Sequence, residues 1–177
     1  MRESVETFST AGPLGGYEYY AKSASALIAD VKATSPEPGK VDVRVLLVGG
    51  ALPEKEMLDT VAGILSADNV RPLTDYVTVQ APETVEYDID VTYYTQEGGA
   101  LSDEVISENV AAAVQKFKTW QAERMGRDVN PSYLIQLLME AGVKRVEVRS
   151  PAVTTVADNA VAQIGETSIV NGGAESE

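Results

Sequence analysis

A ten-residue alternation of apolar and polar side chains in the middle of the chain restricts its fold more than any other feature. From Val85 to Tyr94, the odd-numbered positions are apolar or aromatic and the even-numbered positions are polar. Successive side chains of a strand point to opposite faces, so this segment predicts a β-strand with one buried and one exposed face. Such a strand is typical of a sheet that helices cover on one side only.

The same periodicity reasoning predicts the remaining elements. Further strands are expected over residues 27–33, 41–48, 76–79, 143–149 and 163–170. Helices are expected over residues 17–26, 53–66, 102–125 and 131–141. The turn formers Ser35–Gly39 join the first two strands closely enough to predict an antiparallel hairpin. The predicted fold class is α+β, with two small two-layer α/β sandwich modules whose sheets are mostly antiparallel and carry helices on one face.

A short proline-containing segment, Ala81-Pro82-Glu83, predicts the boundary between the two modules. We expect a first module over residues 15–81 and a second over residues 82–170. An extended N-terminal arm is expected over residues 1–14, because glycine and proline accumulate at its end. Residues 171–177 are expected to form a disordered tail.

Charge and composition exclude several classes of function. The chain has 27 acidic and 14 basic residues, a net charge of −13, and neither histidine nor cysteine. These counts exclude disulfides, thiolate or imidazole metal sites, and catalytic triads that use histidine. The negative charge argues against binding to nucleic-acid phosphates or to anionic membranes. No arrangement of residues joins a nucleophile, a base and an oxyanion donor, so we predict no catalytic residues, no cofactor and no enzyme activity.

Three carboxylates on the polar face of the central strand offer one alternative function. Glu86, Asp88 and Asp90 lie on the same face, with neighbouring side chains roughly 7 Å apart. Carboxylates at such spacing suit a divalent cation, so a small acidic module that binds a cation or another ligand is the second hypothesis. The plainer interpretation is a solvated polar face of an antiparallel sheet.

Two further groups of residues are candidates for contacts between proteins. Three tyrosines cluster in the first predicted helix, and aromatic side chains with polar tips favour interfaces. Acidic residues prevail over residues 85–108 and basic residues over 116–149, which suits salt-sensitive docking between copies or with partners. The plainer alternatives are core packing and solvated ion pairs. The candidate interface residues are Tyr17, Tyr19, Tyr20, Arg71, Arg127 and Arg145.

Five segments, in this order and spacing, resemble the C-terminal part of the baseplate J-like proteins of contractile phage tails and related injection machines. No single segment is diagnostic, but together they cover roughly residues 10–150. The segments are Ala11–Ala21, Ser35–Val43, Asp68–Val79, Val85–Val91 and Gly126–Val146.

The resemblance implies a structural component of a baseplate wedge that forms contacts between subunits in a ring around the tail hub. It implies as partners other wedge proteins, copies of the chain itself, and tail-fibre or sheath-proximal proteins, with no nucleic acid and no membrane insertion. The implied location is the baseplate of a virion or tail-like particle, assembled in the bacterial cytoplasm. Members of this family usually carry a long region before these segments, so we expect a fragment, a split gene product or a truncated relative.

Overall fold

The computed structural model describes residues 14–67, 70 and 75–176, which divide into two compact units. The first unit contains the described residues up to Glu83, and the second contains most residues from Thr84 onward. Two short segments, Glu123–Met125 and Asp158–Ala160, belong to the first unit. Within the described ranges, no helix combines the length and the apolar character needed to cross a membrane.

The first unit is a three-stranded sheet with two helices. Strands β1 (Ile28–Glu37), β2 (Lys40–Leu47) and β3 (Tyr76–Gln80) lie side by side in that order. β1 and β2 are antiparallel, as the short turn between them predicts, whereas β2 and β3 are parallel. A parallel neighbour requires a long connection, and here that connection contains helix α2 (Lys55–Leu65). The described part of helix α1 covers residues 14–23.

The core of the first unit is mainly aliphatic. Alternate residues of β2 point inward, and Val43 and Val45 are fully buried there. Val61 and Leu65, four residues apart on α2, are also fully buried, which matches the spacing of one helix face. The other buried members of this cluster are Tyr17, Ala21, Ile28, Val31, Ala33 and Val41.

The second unit places a long central strand between two others. Its strands are β4 (Glu83–Gln96), β5 (Arg145–Ser150) and β6 (Ala160–Glu175), in the order β5-β4-β6. β4 and β5 are antiparallel, and the unit also contains helices α3 (Asp103–Ala122) and α4 (Pro131–Glu140). The mixed helix–sheet architecture, with two three-stranded sheets in the described residues, confirms the predicted fold class.

Side chains of β4 alternate between buried and exposed, as the sequence pattern predicted. Tyr87, Ile89, Val91 and Tyr93 are buried, whereas Glu86 and Asp88 on the other face are exposed. On α3, the predicted apolar stripe is buried except for Trp120, which is partly exposed. The buried members of that stripe are Ile106, Val110, Ala113 and Phe117. The pleat of β4 therefore separates an apolar interior from a polar outer face.

The last strand is longer than the sequence predicts. A strand was expected over residues 163–170 and a tail beyond it, but β6 runs from Ala160 to Glu175. Two glycines of β6 lie under side chains of β4: a Cβ added at Gly165 would lie 2.5 Å from Asp88 Oδ1, and one at Gly172 would overlap the Tyr94 ring. The missing side chains at these positions leave room for the Asp88 carboxylate and the Tyr94 ring. Residues 171–175 are therefore part of the sheet.

Candidate interaction surfaces

The tyrosines of α1 divide between the interior and the surface of the first unit. Tyr17 is only 2% exposed, and its hydroxyl donates a hydrogen bond to an Asp75 carboxylate oxygen at 2.9 Å. Tyr19 is 49% exposed, and its ring meets the Tyr20 ring edge-on, with 5.6 Å between the centroids. Tyr17 is thus used for packing, Tyr20 is partly buried against the same core, and Tyr19 is presented at the surface of the helix.

Of two candidate interface arginines, one lies outside the described residues and the other is bound within its own unit. Arg71 lies outside the residues that the structure describes. Arg127 lies just beyond α3, where its guanidinium stacks on the Trp120 ring at 4.1 Å and donates to the Trp120 carbonyl. The Gln121 side chain in turn donates to the Arg127 carbonyl at 2.8 Å. A cation at the C-terminal end of a helix satisfies its last carbonyls and complements its dipole, so Arg127 stabilises the fold at this point.

The third arginine forms a network on the outer face of the second sheet. Arg145 donates to Glu175 at 2.5 Å and to Glu147 at 2.6 Å, and it stacks on the Tyr94 ring at 3.8 Å. The hydrogen bonds to Glu175 and Glu147 raise the pKa of the Arg145 guanidinium. The same bond with Arg145 lowers the pKa of Glu175. This network spans all three strands, so Arg145 is engaged within its own sheet.

A second ion pair lies on the same face. Arg149 donates to Asp90 at 2.7 Å and to the Thr92 hydroxyl at 3.0 Å. The hydrogen bond from Arg149 lowers the pKa of the Asp90 carboxyl. One of the three carboxylates proposed for a cation is therefore already neutralised by a neighbouring strand.

The other two carboxylates do not complete a cation site. Asp88 accepts a hydrogen bond from the backbone N–H of Glu166 at 2.7 Å, and Glu86 and Asp88 both lie over Gly165 of β6. In the part of the chain that the structure describes, no three acidic side chains come together in a group that could hold a metal ion. The geometry thus does not favour the cation-binding alternative.

An aromatic cluster forms the interior behind this polar face. The Phe117 ring lies 6.1 Å from that of Tyr87, 6.2 Å from Trp120 and 6.2 Å from Tyr133. Trp120 and Tyr133 are closer still, with 4.4 Å between their centroids. Burial raises the pKa of the Tyr87 hydroxyl to about 12. These rings join α3 to β4 through Tyr87 and α4 to α3 through Tyr133.

Exposed apolar side chains also mark the end of the first sheet. Leu27 and Val48 are neighbours, because the Val48 N–H donates to the Leu27 carbonyl at 2.9 Å, and both are more than half exposed. An open groove of about 520 Å³ lies nearby, lined by Leu47, Ala51, Leu52, Glu54, Glu56, Met57 and Thr60. This surface was not predicted, because Leu27 and Val48 were assigned to the first and last positions of two predicted strands.

Comparison with known proteins identifies the class of this chain. A family model of the Baseplate J-like central domain matches residues 9–81, and a model of the Baseplate J-like C-terminal domain matches residues 87–170. The two matches have the same order as the two units of the structure. The chain therefore belongs to the Baseplate J-like proteins, and the family expected from its five segments is confirmed.

Individual relatives agree with this assignment. The chain is 34% identical to Baseplate protein J of Escherichia phage P2 over 99% of its own length and spans 58% of that protein. Its fold is similar to a chain in the cryo-EM structure of the anti-feeding prophage baseplate, which was symmetrised sixfold. That similarity has a TM-score of 0.60 at 14% identity, covering 84% of this chain and 36% of the other.

Proposed function

We propose that this chain is a structural component of a baseplate wedge and forms contacts between subunits in a ring around the tail hub. The observation that carries this proposal is the pair of Baseplate J-like matches, which together account for nearly the whole chain. The identity to the phage P2 baseplate protein supports the same role.

The polar chemistry of the described residues suits a role in assembly better than one in catalysis. The shortest ion pairs of the described residues, at Arg145 and Arg149, join neighbouring strands across the outer face of the second sheet. Rigid surfaces with satisfied polar groups match the needs of a part that holds its neighbours at fixed positions. We propose that other wedge proteins, copies of this chain and tail-fibre or sheath-proximal proteins are its partners. We propose further that assembly takes place in the bacterial cytoplasm.

The first unit offers the surface that we assign to such contacts. Tyr19 presents its aromatic ring at the surface of α1, and Leu27, Val48 and Leu52 add exposed apolar area in the same unit. Aromatic and apolar side chains provide most of the binding energy at protein interfaces. Tyr17, which is buried, serves this surface by anchoring α1 from below.

Deletion and complementation of the gene test the proposed role. We expect particles produced without the gene to lack baseplates in electron micrographs, and the wild-type gene to restore them. A chain carrying Leu27→Asp and Val48→Asp should fold but restore far fewer baseplates. A matched chain carrying Glu86→Gln and Asp88→Asn, on the exposed strand face, should restore baseplates fully. Intact baseplates in the deletion strain would disprove the role.

A further inference from the structure

The open groove beside the start of α2 has an apolar floor, and we call it the α2 groove. Its volume is about 520 Å³. Leu52 is 42% exposed in it, and Leu47 and Met57 are partly exposed, so the first unit leaves these side chains incompletely covered. Methionine is unbranched and flexible, and it adapts to side chains of different shape at binding surfaces. The α2 groove can therefore take up an apolar side chain from outside the unit. Its lining residues are Leu47, Ala51, Leu52, Glu54, Glu56, Met57 and Thr60.

The loop that forms one side of the α2 groove is held by its own backbone. The Leu47 N–H donates a hydrogen bond to the Ala51 carbonyl at 3.0 Å, which closes the loop at its base. Gly49 and Gly50, between these two residues, adopt φ values of 74° and 78°, which glycine reaches without steric cost. A surface that is ordered before binding loses less conformational entropy when a partner docks. Leu52, which directly follows this loop, is therefore presented by a pre-ordered element.

Two carboxylates of the α2 groove have no cation bound to them among the described residues. Glu54 and Glu56 are both exposed lining residues, and neither side chain takes part in an ion pair or hydrogen bond of the described part of the chain. Lys55 lies between them in sequence but is not a lining residue. Asp90 and Glu175, by contrast, are bound by arginines of a neighbouring strand. The α2 groove thus presents unpaired negative charge beside an apolar floor.

We propose that the α2 groove binds a segment of a different baseplate protein that carries an apolar side chain next to a lysine or arginine. The apolar side chain lies on Leu52 and Met57, and the cation lies against Glu54 and Glu56. Burial of the apolar side chain supplies affinity, and the opposite charges select the partner and fix its orientation. This inference rests on the proposed function, since it names the chemistry of one partner of the surface assigned there.

Charge favours a different protein over a second copy as the occupant. Each copy has a net charge of −13, so two copies repel each other, most strongly at low ionic strength. Arg127, Arg145 and Arg149 of a second copy already contact groups of their own chain. A basic segment of another protein is attracted by the net charge of the whole chain as well as by the two carboxylates. The occupant that fits the α2 groove is therefore basic and foreign to this chain.

Methionine methyl signals in NMR spectra provide a direct measurement of binding. Met57 lines the α2 groove, whereas Met125 is buried and is not a lining residue, so it serves as an internal control. The whole chain, isotope-labelled at its methionine methyl groups, would be titrated with matched peptides that carry leucine between lysines, leucine between glutamates, leucine between serines, or serine between lysines. We expect the lysine–leucine peptide to shift the Met57 signal most and to leave the Met125 signal unchanged. Met57→Leu assigns the signal.

Neutral substitutions measure the contribution of the two carboxylates. Glu54→Gln with Glu56→Gln should weaken binding of the lysine–leucine peptide about three- to tenfold, because two exposed ion pairs are lost. The matched variant Glu104→Gln with Glu108→Gln removes the same charge from exposed positions of α3 and should bind like wild type. Both carboxylates of the α2 groove also lie near the positive end of the α2 dipole, so melting temperatures must show that each variant is folded. Raising the salt concentration should weaken wild-type binding more than binding to the Glu54/Glu56 variant.

Charge reversal in the assembled particle identifies the kind of partner. A chain with Glu54→Lys and Glu56→Lys should restore far fewer baseplates to the deletion strain than the wild-type chain does. We expect suppressor mutations that replace a lysine or arginine by an acidic residue in the gene of a different baseplate protein. Suppressors confined to basic positions of this chain would assign the α2 groove to a second copy and overturn the proposal.

Other outcomes overturn the proposal while leaving the wider role intact. An unchanged Met57 signal up to about 5 mM of the lysine–leucine peptide, or equal shifts with all the peptides, would show that the α2 groove does not select a basic apolar segment. Full restoration of baseplates by the Glu54→Lys, Glu56→Lys chain would show that no basic partner binds there. The deletion strain with and without the wild-type gene, measured separately, reports on the proposed function itself.

Discussion

The surface of α1 in the first unit and the outer face of the second sheet differ in how many of their polar side chains have a partner within the chain. On α1, Tyr17 is bound inside its unit while its neighbour Tyr19 remains accessible. On the second sheet, both arginines are bound to carboxylates of adjacent strands. The difference shows that residue type does not decide which side chain is available to a partner. The decisive factor is whether the fold already supplies an intramolecular partner.

The largest expected effect tests whether the polar face of the second sheet depends on the aromatic cluster behind it. Phe117→Ala would remove a fully buried ring that contacts Tyr87, Trp120 and Tyr133. We expect a loss of about 3–5 kcal/mol in the free energy of unfolding, measured by urea denaturation. Hydrogen exchange should show the loss of protection in the second unit, with the first unit retained. Equal loss in both units would mean that their stabilities are not separable.

The next effect concerns the close approach of β6 to β4. Gly172→Val would drive a branched side chain into the Tyr94 ring, on which Arg145 also stacks. We expect a loss of about 1–3 kcal/mol from overpacking, measured as a lower urea midpoint. Gly63→Val provides a control for the added bulk, because a Cβ at Gly63 meets no atom within 4 Å. A cost no greater at Gly172 than at Gly63 would contradict the tight contact.

A pair of conservative substitutions tests the division of the tyrosines. Tyr17→Phe would remove the hydroxyl that binds Asp75 and should cost about 0.5–1.5 kcal/mol in thermal or chemical unfolding. Tyr19→Phe should change stability by less than about 0.5 kcal/mol, because its side chain is largely exposed. If the two substitutions cost the same, the assignment of Tyr17 to the interior and Tyr19 to the surface is wrong.

The smallest effect is the acid sensitivity of the ion pairs. The pKa of Asp90 is lowered from 3.8 and that of Glu175 from 4.5, so each pair stabilises the folded state fully above those values. This stabilisation is lost as the pH falls through the lowered pKa values, because the protonated acids no longer attract the arginines.

The variant Arg149→Gln removes the ion pair with Asp90 together with the guanidinium's hydrogen bond to the Thr92 hydroxyl, and only the ion pair depends on pH in this range. The melting temperature of this variant should lie below that of wild type at pH 7, and the difference should narrow as the pH falls through the lowered pKa of Asp90, because the carboxyl is then protonated in both chains. Parallel melting curves across this pH range would show that the Asp90–Arg149 pair adds no measurable stability. High salt at pH 7 should also reduce the difference, because the pair is exposed.

Much of the fold could be predicted because local periodicity reflects burial. The alternation at Val85–Tyr94 predicted the inner face of β4, and the stripe from Ile106 to Phe117 predicted the buried side of α3. The relative direction of paired strands and the length of a strand were harder to predict. The parallel pairing of β2 with β3 depends on where the chain returns after α2, and the full length of β6 depends on β4 beside it. Neither property has a local signal.

The sequence by itself determined the class of fold, the family, and the absence of cysteine and histidine chemistry, since each follows from residue identity and spacing. Only the tertiary structure decided the fate of individual side chains. Tyr17 is buried and donates to Asp75, Arg127 donates to a carbonyl near the end of α3, and Arg145 stacks on Tyr94 and donates to Glu175. Asp75 and Glu175 are distant in sequence from the residues they bind, and the carbonyl that Arg127 binds is available only because α3 ends close to it. The free-energy cost of burying a polar side chain depends on whether it has a hydrogen-bond partner, and these partners come together only when the chain folds.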